Sequence, residues 1–371
     1  MVDFVVIGGG VYGSAVAWAL SREGAETHLI EKRAIAERAS GGPGRRGVRA
    51  NGRPAAGLAL MKRAYDVWPT LHERLDEPQF FERTGHIRLI ERESDVPRAE
   101  AQVALQQQHG IESRWLNSGE LRELEPDVAS KVIAGIFCPN DGVASHARAT
   151  NAYARAARRA GAIVEEGVTA TGIEVEGGRA TAVLTSAGDR ISARRGVLVL
   201  SNSSVRDLLK QWITLSFWNE VLQVLITEPV DEIPFRHLIG HAHRTVSLKA
   251  EAGRRIMISG GWLGTWDSET EEGHAIRSSI DGNLAEAIAV YPGIEGVKIE
   301  QAVASHEEAT SLDSLPVIDR LNGPSNVYYA SGWSGEGWAT APVIAELLAE
   351  WALTGRRPKL LEPFGYNRFE P

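Results

Sequence analysis

Three glycines and one acid near the amino terminus carry the most specific chemistry in this chain. In Phe4-Val5-Val6-Ile7-Gly8-Gly9-Gly10-Val11-Tyr12-Gly13 a short β-rich stretch runs into Gly8-x-Gly10-x-x-Gly13. An Ala-rich helical pattern follows, and Thr27-His28-Leu29-Ile30-Glu31 closes the unit. The spacing suits a nucleotide pyrophosphate. Gly8 permits a tight turn, Gly10 lets the backbone approach the phosphates, and Gly13 lets helix and strand pack closely. The helix start offers N–H groups and a partial positive charge to the phosphates. Glu31 ends the second strand, about 20 residues on, where a carboxylate accepts from a ribose hydroxyl.

Two further groups of residues have chemical potential. Arg45, Arg46, Arg49, Arg53, Lys62 and Arg63 form a basic cluster just beyond the glycine motif, suited either to an anion or to a solvated face. Near the other end, Asn326-Val327-Tyr328-Tyr329-Ala330 leads into Ser331-Gly332-Trp333-Ser334-Gly335-Glu336-Gly337 and a long apolar stretch. This repeats the logic of strand, glycine turn and helix. A helix starting near Gly337 aims N–H groups and its positive end outward.

The elements that must position these groups can be read from periodicity. Residues 3–8 and 26–31 are expected as parallel strands around a helix at 11–22, and 40–48 as a glycine-rich loop. Helices are expected at 55–75, 97–109, 146–160, 272–290 and 338–353. Residues 168–176 and 180–186, separated by Gly177-Gly178, read as a hairpin. Gly196-Val197-Leu198-Val199-Leu200 reads as a strand buried on both faces. Strands are also expected at 84–91, 219–227, 244–249, 255–260, 297–305 and 326–330. The fold class is α/β: a Rossmann-like domain assembled from separated segments, with an inserted antiparallel β-sheet substrate domain.

The 371 residues, too many for one compact core, suggest two domains or one large composite. A formal net charge of −8 argues against a general nucleic-acid binder. Cys138 is the single cysteine, which excludes intrachain disulfides and Cys-based zinc sites, and no other metal set stands out. No apolar run reaches the length of a membrane span, and the first strand begins almost at Met1. The expected location is cytoplasmic.

The order of these elements resembles the D-amino-acid oxidase superfamily of FAD-dependent amine oxidoreductases, which includes glycine oxidase, sarcosine oxidases and the β subunits of opine and hydroxyproline dehydrogenases. The resemblance is carried by the amino-terminal motif, Cys138-Pro139-Asn140-Asp141-Gly142, residues 146–186, Leu312-Asp313-Ser314-Leu315-Pro316-Val317-Ile318-Asp319 and residues 330–355. It implies FAD, held non-covalently, and an FAD-binding domain of residues 1–80, 142–212 and 315–371. Residues 81–141 and 213–314 would form the substrate domain. Gly8, Gly10 and Gly13 would hold the pyrophosphate and Glu31 the ribose, with Lys32 beside it. Ser40 and Gly41 would touch phosphate and flavin, Val168 would read the adenine edge, and Ser334, Gly335 and Gly337 would line the flavin pyrimidine.

The implied reaction is oxidation of a C–N bond. A small amine or amino acid gives hydride to flavin, the imine hydrolyses, and oxygen or another acceptor takes the electrons. Arg49 falls where sarcosine oxidase-like relatives keep a carboxylate-clamping arginine. The chain also departs from its relatives. Glu308 stands five residues before Asp313, where glycine oxidase-like relatives have an arginine. Ala339 follows Gly337-Trp338 where others have a lysine, and Glu336 is acidic. An inward Glu308 would favour a cationic substrate, or one without the usual carboxylate; a Glu308 paired with Arg49 or Arg46 would be structural. His306 occupies the position of a flavin-linking cysteine in some relatives, and Trp333 and Trp338 could wall the substrate cavity.

Other readings stay open. The chain could be the flavoprotein β subunit of a multi-subunit dehydrogenase, and the absence of lysine from Ile256-Met257-Ile258-Ser259-Gly260 leans that way. Ser201-Asn202-Ser203-Ser204 departs from the small-residue turn of relatives, which leaves a non-catalytic nucleotide-binding module as the reading from a different class.

Overall fold

A computed structural model describes residues 1–38 and 44–369. Two large sheets organise the chain. The first is built around the parallel strands Val2–Ile7, Thr27–Glu31, Ile163–Glu166, Arg190–Val199 and Val327–Ser331. Ile7 lies between Ile30 and Val199, and Val199 pairs with Tyr329, so widely separated segments meet side by side. The hairpin Ala170–Glu176 and Arg179–Thr185 extends this sheet antiparallel, and Val317–Arg320 adds to Val327–Ser331.

Helix Val11–Arg22 is buried along its whole length up to Ser21. It packs against helices His146–Arg159 and Ala341–Thr354. Ala15, Ala19, Ala149, Ala152 and Ala156 share that buried cluster, their short side chains letting the helices approach closely. A helix apolar all round is expected where it is covered on every side.

The second sheet is mixed rather than purely antiparallel, because Leu238–His241 runs parallel to His86–Ile90. Its strand Ser247–Glu251 alternates strictly. Leu248 packs into a core with Ile256, Ile258, Ala287 and Val290, while Ser247 and Lys249 face the other way. One face is therefore apolar against helix Arg277–Val290, and the other is polar and turned toward the first sheet.

Several expected elements differ. The helix expected at 272–290 begins only at Arg277, because Glu272–His274 pairs as a strand with Thr265–Asp267. The stretch 219–227 splits into Phe217–Val221 and Val224–Thr227, which join different sheets. The helix expected at 55–75 breaks after Val67 at Pro69, whose ring cannot supply a helical N–H. Arg45–Val48, expected within a loop, is a strand paired with Gly142–Ser145. That pairing holds Arg45 and Arg46 of the basic cluster in an extended, defined geometry.

Candidate active site

The glycine motif has the shape of a phosphate cradle. Gly8 adopts φ +105°, open to glycine and strained for other residues. A Cβ at Gly13 would lie 1.7 Å from the Gly8 carbonyl oxygen, so that glycine is required by packing. A Cβ at Gly10 would meet nothing within 4 Å. Gly10 is also the N-cap of helix Val11–Arg22, and no side chain caps it. Open space before an uncapped helix start fits a pyrophosphate. The Glu31 carboxylate accepts from the Gly9 N–H and, at 2.9 Å, from the Arg33 N–H, at the edge of this crevice. Val168 gives its N–H to the Glu31 carbonyl at 2.8 Å. Lys32 pairs at the surface with Glu271. Ser40 and Gly41 lie outside the described residues.

The carboxy-terminal turn comes to the same place. The Tyr12 hydroxyl donates to the Gly337 carbonyl at 2.6 Å, and its ring stacks on Trp333 with centroids 3.7 Å apart. Gly10, Tyr12, Ser334, Gly335 and Gly337 thus border one cavity of about 350 Å³. Ser334 and Asn202 both take left-handed backbone, at φ +51° and +49°. Asparagine tolerates that region, so Ser201–Ser204 keeps a tight turn without glycine. Among the turn's N–H groups, Ser334 donates to Ala309 at 3.1 Å and Gly335 to the Glu308 carboxylate at 2.9 Å.

Charge is arranged in an unexpected way. Arg49 lines the cavity, but its guanidinium is bound to Glu336 rather than to Glu308. Arg53, only 7% exposed, reaches the other Glu336 oxygen at 3.1 Å and the Glu336 carbonyl at 2.8 Å. Burial pushes the Glu336 carboxyl up, and Arg49 and Arg53 more than offset it, holding it below its ordinary value. Glu308 is 2% exposed, lines the cavity, and also accepts from the Asn202 amide at 3.2 Å. Of the remaining basic cluster, Arg46 lines the cavity, Arg45 pairs with Glu82, and Lys62 and Arg63 are exposed. Burial lowers Arg46 to about 10, although Glu251 and Glu308 counter it.

The Arg49 segment is fixed from behind by Asp141, which is fully buried. Its carboxylate accepts from the Ala50 N–H at 2.6 Å, the Asn51 N–H at 3.1 Å and the Tyr65 hydroxyl at 2.5 Å. Asp141 belongs to the segment Cys138-Pro139-Asn140-Asp141-Gly142. Nothing local in the sequence marks it as the anchor of a loop 90 residues away.

The facing wall comes from the second sheet, with Ser247, Lys249, Met257 and Ser259. Lys249 is 6% exposed and donates to Ser259 Oγ at 2.9 Å and Ser247 Oγ at 3.2 Å. Burial beside Arg46 lowers it to about 7. Sequence reasoning missed this lysine; the signal available was a basic residue alternating with Leu248 and Ala250 in a strand.

Trp338 lines the cavity and packs between Trp68 and His146, with centroids 5.0 and 4.9 Å away. His146 is lowered to about 3 by burial, with Arg46 and His306 adding to it. His306 is not brought to the cavity wall. Its Nε2 lies 3.2 Å from Ser305 Oγ, and Glu37 and Arg38 are its charged neighbours.

Among the described residues, Glu91, His241 and His243 have the spacing of metal ligands. The donor chemistry does not fit a cation. Arg244 already bridges both Glu91 oxygens at 2.8 Å. His241 Nδ1 accepts from the N–H groups of His243 and Arg244, so its neutral ring carries the proton on Nε2, the atom facing Glu91. No described helix is long and apolar enough to cross a membrane.

The sequence profile of the family described as FAD dependent oxidoreductase (DAO) matches residues 3–351. The chain is 25% identical over 383 residues to sarcosine oxidase subunit beta of Arthrobacter sp., covering 99% of this chain and 91% of the relative. It is 26% identical over 368 residues to glycine oxidase of Bacillus licheniformis, covering 95% and 93%. Its fold superposes on L-proline dehydrogenase from P. horikoshii with a TM-score of 0.89 and 25% identity, covering 100% and 98%. The cradle at Gly10, the Glu31 edge and the uncapped helix start are the features FAD needs, and with this match the chain belongs to the DAO family of FAD-dependent oxidoreductases, as an enzyme acting on amines or amino acids.

Proposed function

We propose that this enzyme oxidises the C–N bond of an amine that lacks a free carboxylate beside the reacting carbon, or that carries an additional cationic amine. The observation that carries this reading is the pairing of Arg49 with Glu336. An arginine fork suits a substrate carboxylate because it pairs with it bidentately. Here the protein's own carboxylate takes that partner, and Arg53 holds it in place. A second carboxylate, Glu308, lines the same cavity. Bound FAD supplies a two-electron acceptor for the hydride of the carbon next to nitrogen. The chain's own groups hold the amine against that acceptor: Trp333 and Trp338 shape the cavity, Glu336 neutralises Arg49, and Glu308 favours positive charge in the substrate. The imine product then hydrolyses in water.

The test is anaerobic mixing of purified holoenzyme with a panel of amines while the flavin absorption is followed. N-methylbutane-1,4-diamine should bleach it faster than sarcosine, glycine, D-alanine or L-proline. Bleaching by glycine or D-alanine alone overturns the substrate reading.

A second reading concerns organisation. A relative that this chain matches over nearly its full length is named as a subunit beta, which supports a flavoprotein subunit that passes electrons to partner chains. Trp218, 41% exposed, and Leu312, 65% exposed, lie on or just beyond one two-stranded ribbon and are available to such a partner. Sedimentation of the native complex from its source decides this. The single cysteine, buried Cys138, accords with a reducing, cytoplasmic location.

A further inference from the structure

We propose that Lys249 accepts the proton that the substrate ammonium must lose before its neighbouring C–H bond can release hydride. This rests on the reading that the enzyme oxidises an amine, and it holds for amines with or without a carboxylate. The requirement is chemical. Forming C=N uses the nitrogen lone pair, and an ammonium group has none. An amine that binds as ammonium therefore needs a group in the cavity to take its proton.

The geometry selects Lys249. Its Nζ donates to Ser259 Oγ at 2.9 Å and Ser247 Oγ at 3.2 Å. A neutral amine has two N–H bonds and one lone pair. The two serines satisfy both bonds, so the lone pair is left for the cavity that Lys249 lines. The charged groups around it are Arg46 on the strand Arg45–Val48, Arg49 just beyond that strand, and Glu251 on its own strand. Glu308 and Glu336 stand in the other walls. Burial, reinforced by Arg46 and Arg49 and partly offset by Glu251, brings Lys249 to about 7, where it can both take and return a proton.

The other candidates are poorer bases. Glu336 is held ionised by Arg49 and Arg53. Glu308 is engaged by the Gly335 N–H and the Asn202 amide. His146, at about 3, is too weak. His306 is not part of the cavity wall.

The step balances without a further reactant. An N–H bond of the substrate breaks and Nζ–H forms. The freed lone pair then becomes the C=N π bond as the C–H bond breaks, and the hydride leaves with its electron pair to oxidised FAD, the acceptor of the proposed reaction. Lys249 returns its proton to water after product leaves.

Two measurements on the holoenzyme test the assignment. The first is the limiting rate of anaerobic flavin reduction against pH, with N-methylbutane-1,4-diamine and with sarcosine, for wild type and Lys249→Met. The wild-type rate should rise through a midpoint near pH 7. The variant should be slower at neutral pH by about a hundredfold, with its midpoint moved upward toward that of the free amine. An unchanged profile in the variant, or a defect confined to reoxidation by oxygen, overturns the proposal. The second is pH-dependent acetylation of Lys249 in wild-type holoenzyme, read by mass spectrometry, which needs no variant to fold and no substrate. Half-maximal reactivity near pH 7 supports it, and reactivity that begins only near the ordinary lysine range overturns it. Should neither amine reduce the flavin, the amine-oxidation reading is what has failed, and the acetylation profile still decides whether Lys249 is such a base.

Discussion

The Tyr12 hydroxyl donates to the Gly337 carbonyl at 2.6 Å, joining the start of helix Val11–Arg22 to a turn 325 residues further along the chain. Tyr12 sits inside the phosphate motif and Gly337 ends the turn expected at the flavin pyrimidine. The bond therefore fixes the phosphate-motif helix against the carboxy-terminal turn.

Tyr12→Phe keeps the ring stack on Trp333 and removes only the hydroxyl. Thr340 Oγ1 still reaches the Gly337 carbonyl at 3.3 Å, so the acceptor is not orphaned. The expected stability loss is about 1 kcal/mol. FAD should be retained several-fold less tightly, as read by flavin release during dialysis beside a thermal melt.

Gly10→Ala and Gly13→Ala should separate binding from folding. A Cβ at Gly10 meets open space, so the chain should fold and lose flavin. A Cβ at Gly13 meets the Gly8 carbonyl at 1.7 Å, so helix and strand must move apart and the protein should be destabilised by about 3 kcal/mol or more. Flavin content and urea unfolding, measured together, distinguish the two.

Glu336→Gln should release Arg49 from its internal carboxylate. Sarcosine and L-proline should then gain about tenfold in kcat/KM, the equivalent of one charge-assisted hydrogen bond. N-methylbutane-1,4-diamine should lose a comparable factor. A uniform fall with all three amines would show that the pair is structural.

Asp141→Asn replaces a fully buried carboxylate that accepts from Ala50, Asn51 and Tyr65. The amide has one accepting oxygen and an NH2 donor in place of the second, so at least one donor loses its partner. A cost of about 3 kcal/mol is expected. KM should rise more than kcat falls, because Arg49 is displaced rather than removed.

Lys249 also predicts a pH dependence of stability. Its folded value, about 7, lies below the ordinary 10.5, so between these pH values the unfolded chain binds the extra proton. The penalty is full below pH 7 and fades as pH rises toward 10.5. Lys249→Met should be more stable than wild type at pH 7 by a few kcal/mol, with the gap closing in alkali. Denaturant midpoints across that range check the sign.

The strand, glycine spacing, helix and terminal acid of residues 3–31 were legible because they lie in one short segment, where local sterics dictate the turn and the helix start. Period-2 alternation likewise marked the hairpin at 168–186, and a continuous apolar run marked the buried strand at 196–200. The errors fell on short segments whose pairing partner the residue types do not announce. Arg45–Val48 is glycine-flanked and looks irregular until the distant Gly142–Ser145 supplies its hydrogen bonds. Glu272–His274 instead closes a local hairpin with Thr265–Asp267.

From residue order alone came the cofactor cradle, the return of the carboxy-terminal glycine turn and the acidic replacements at Glu308 and Glu336. Only the tertiary structure decided how those charges are used. Arg49 meets Glu336 across 287 residues, Glu308 turns to Gly335 and Asn202, and Lys249 enters the cavity from a neighbouring sheet. Alternation says which side chains share a face of a strand. What that face confronts, and which charge neutralises which, depends on distances and burial that exist only once both sheets have packed.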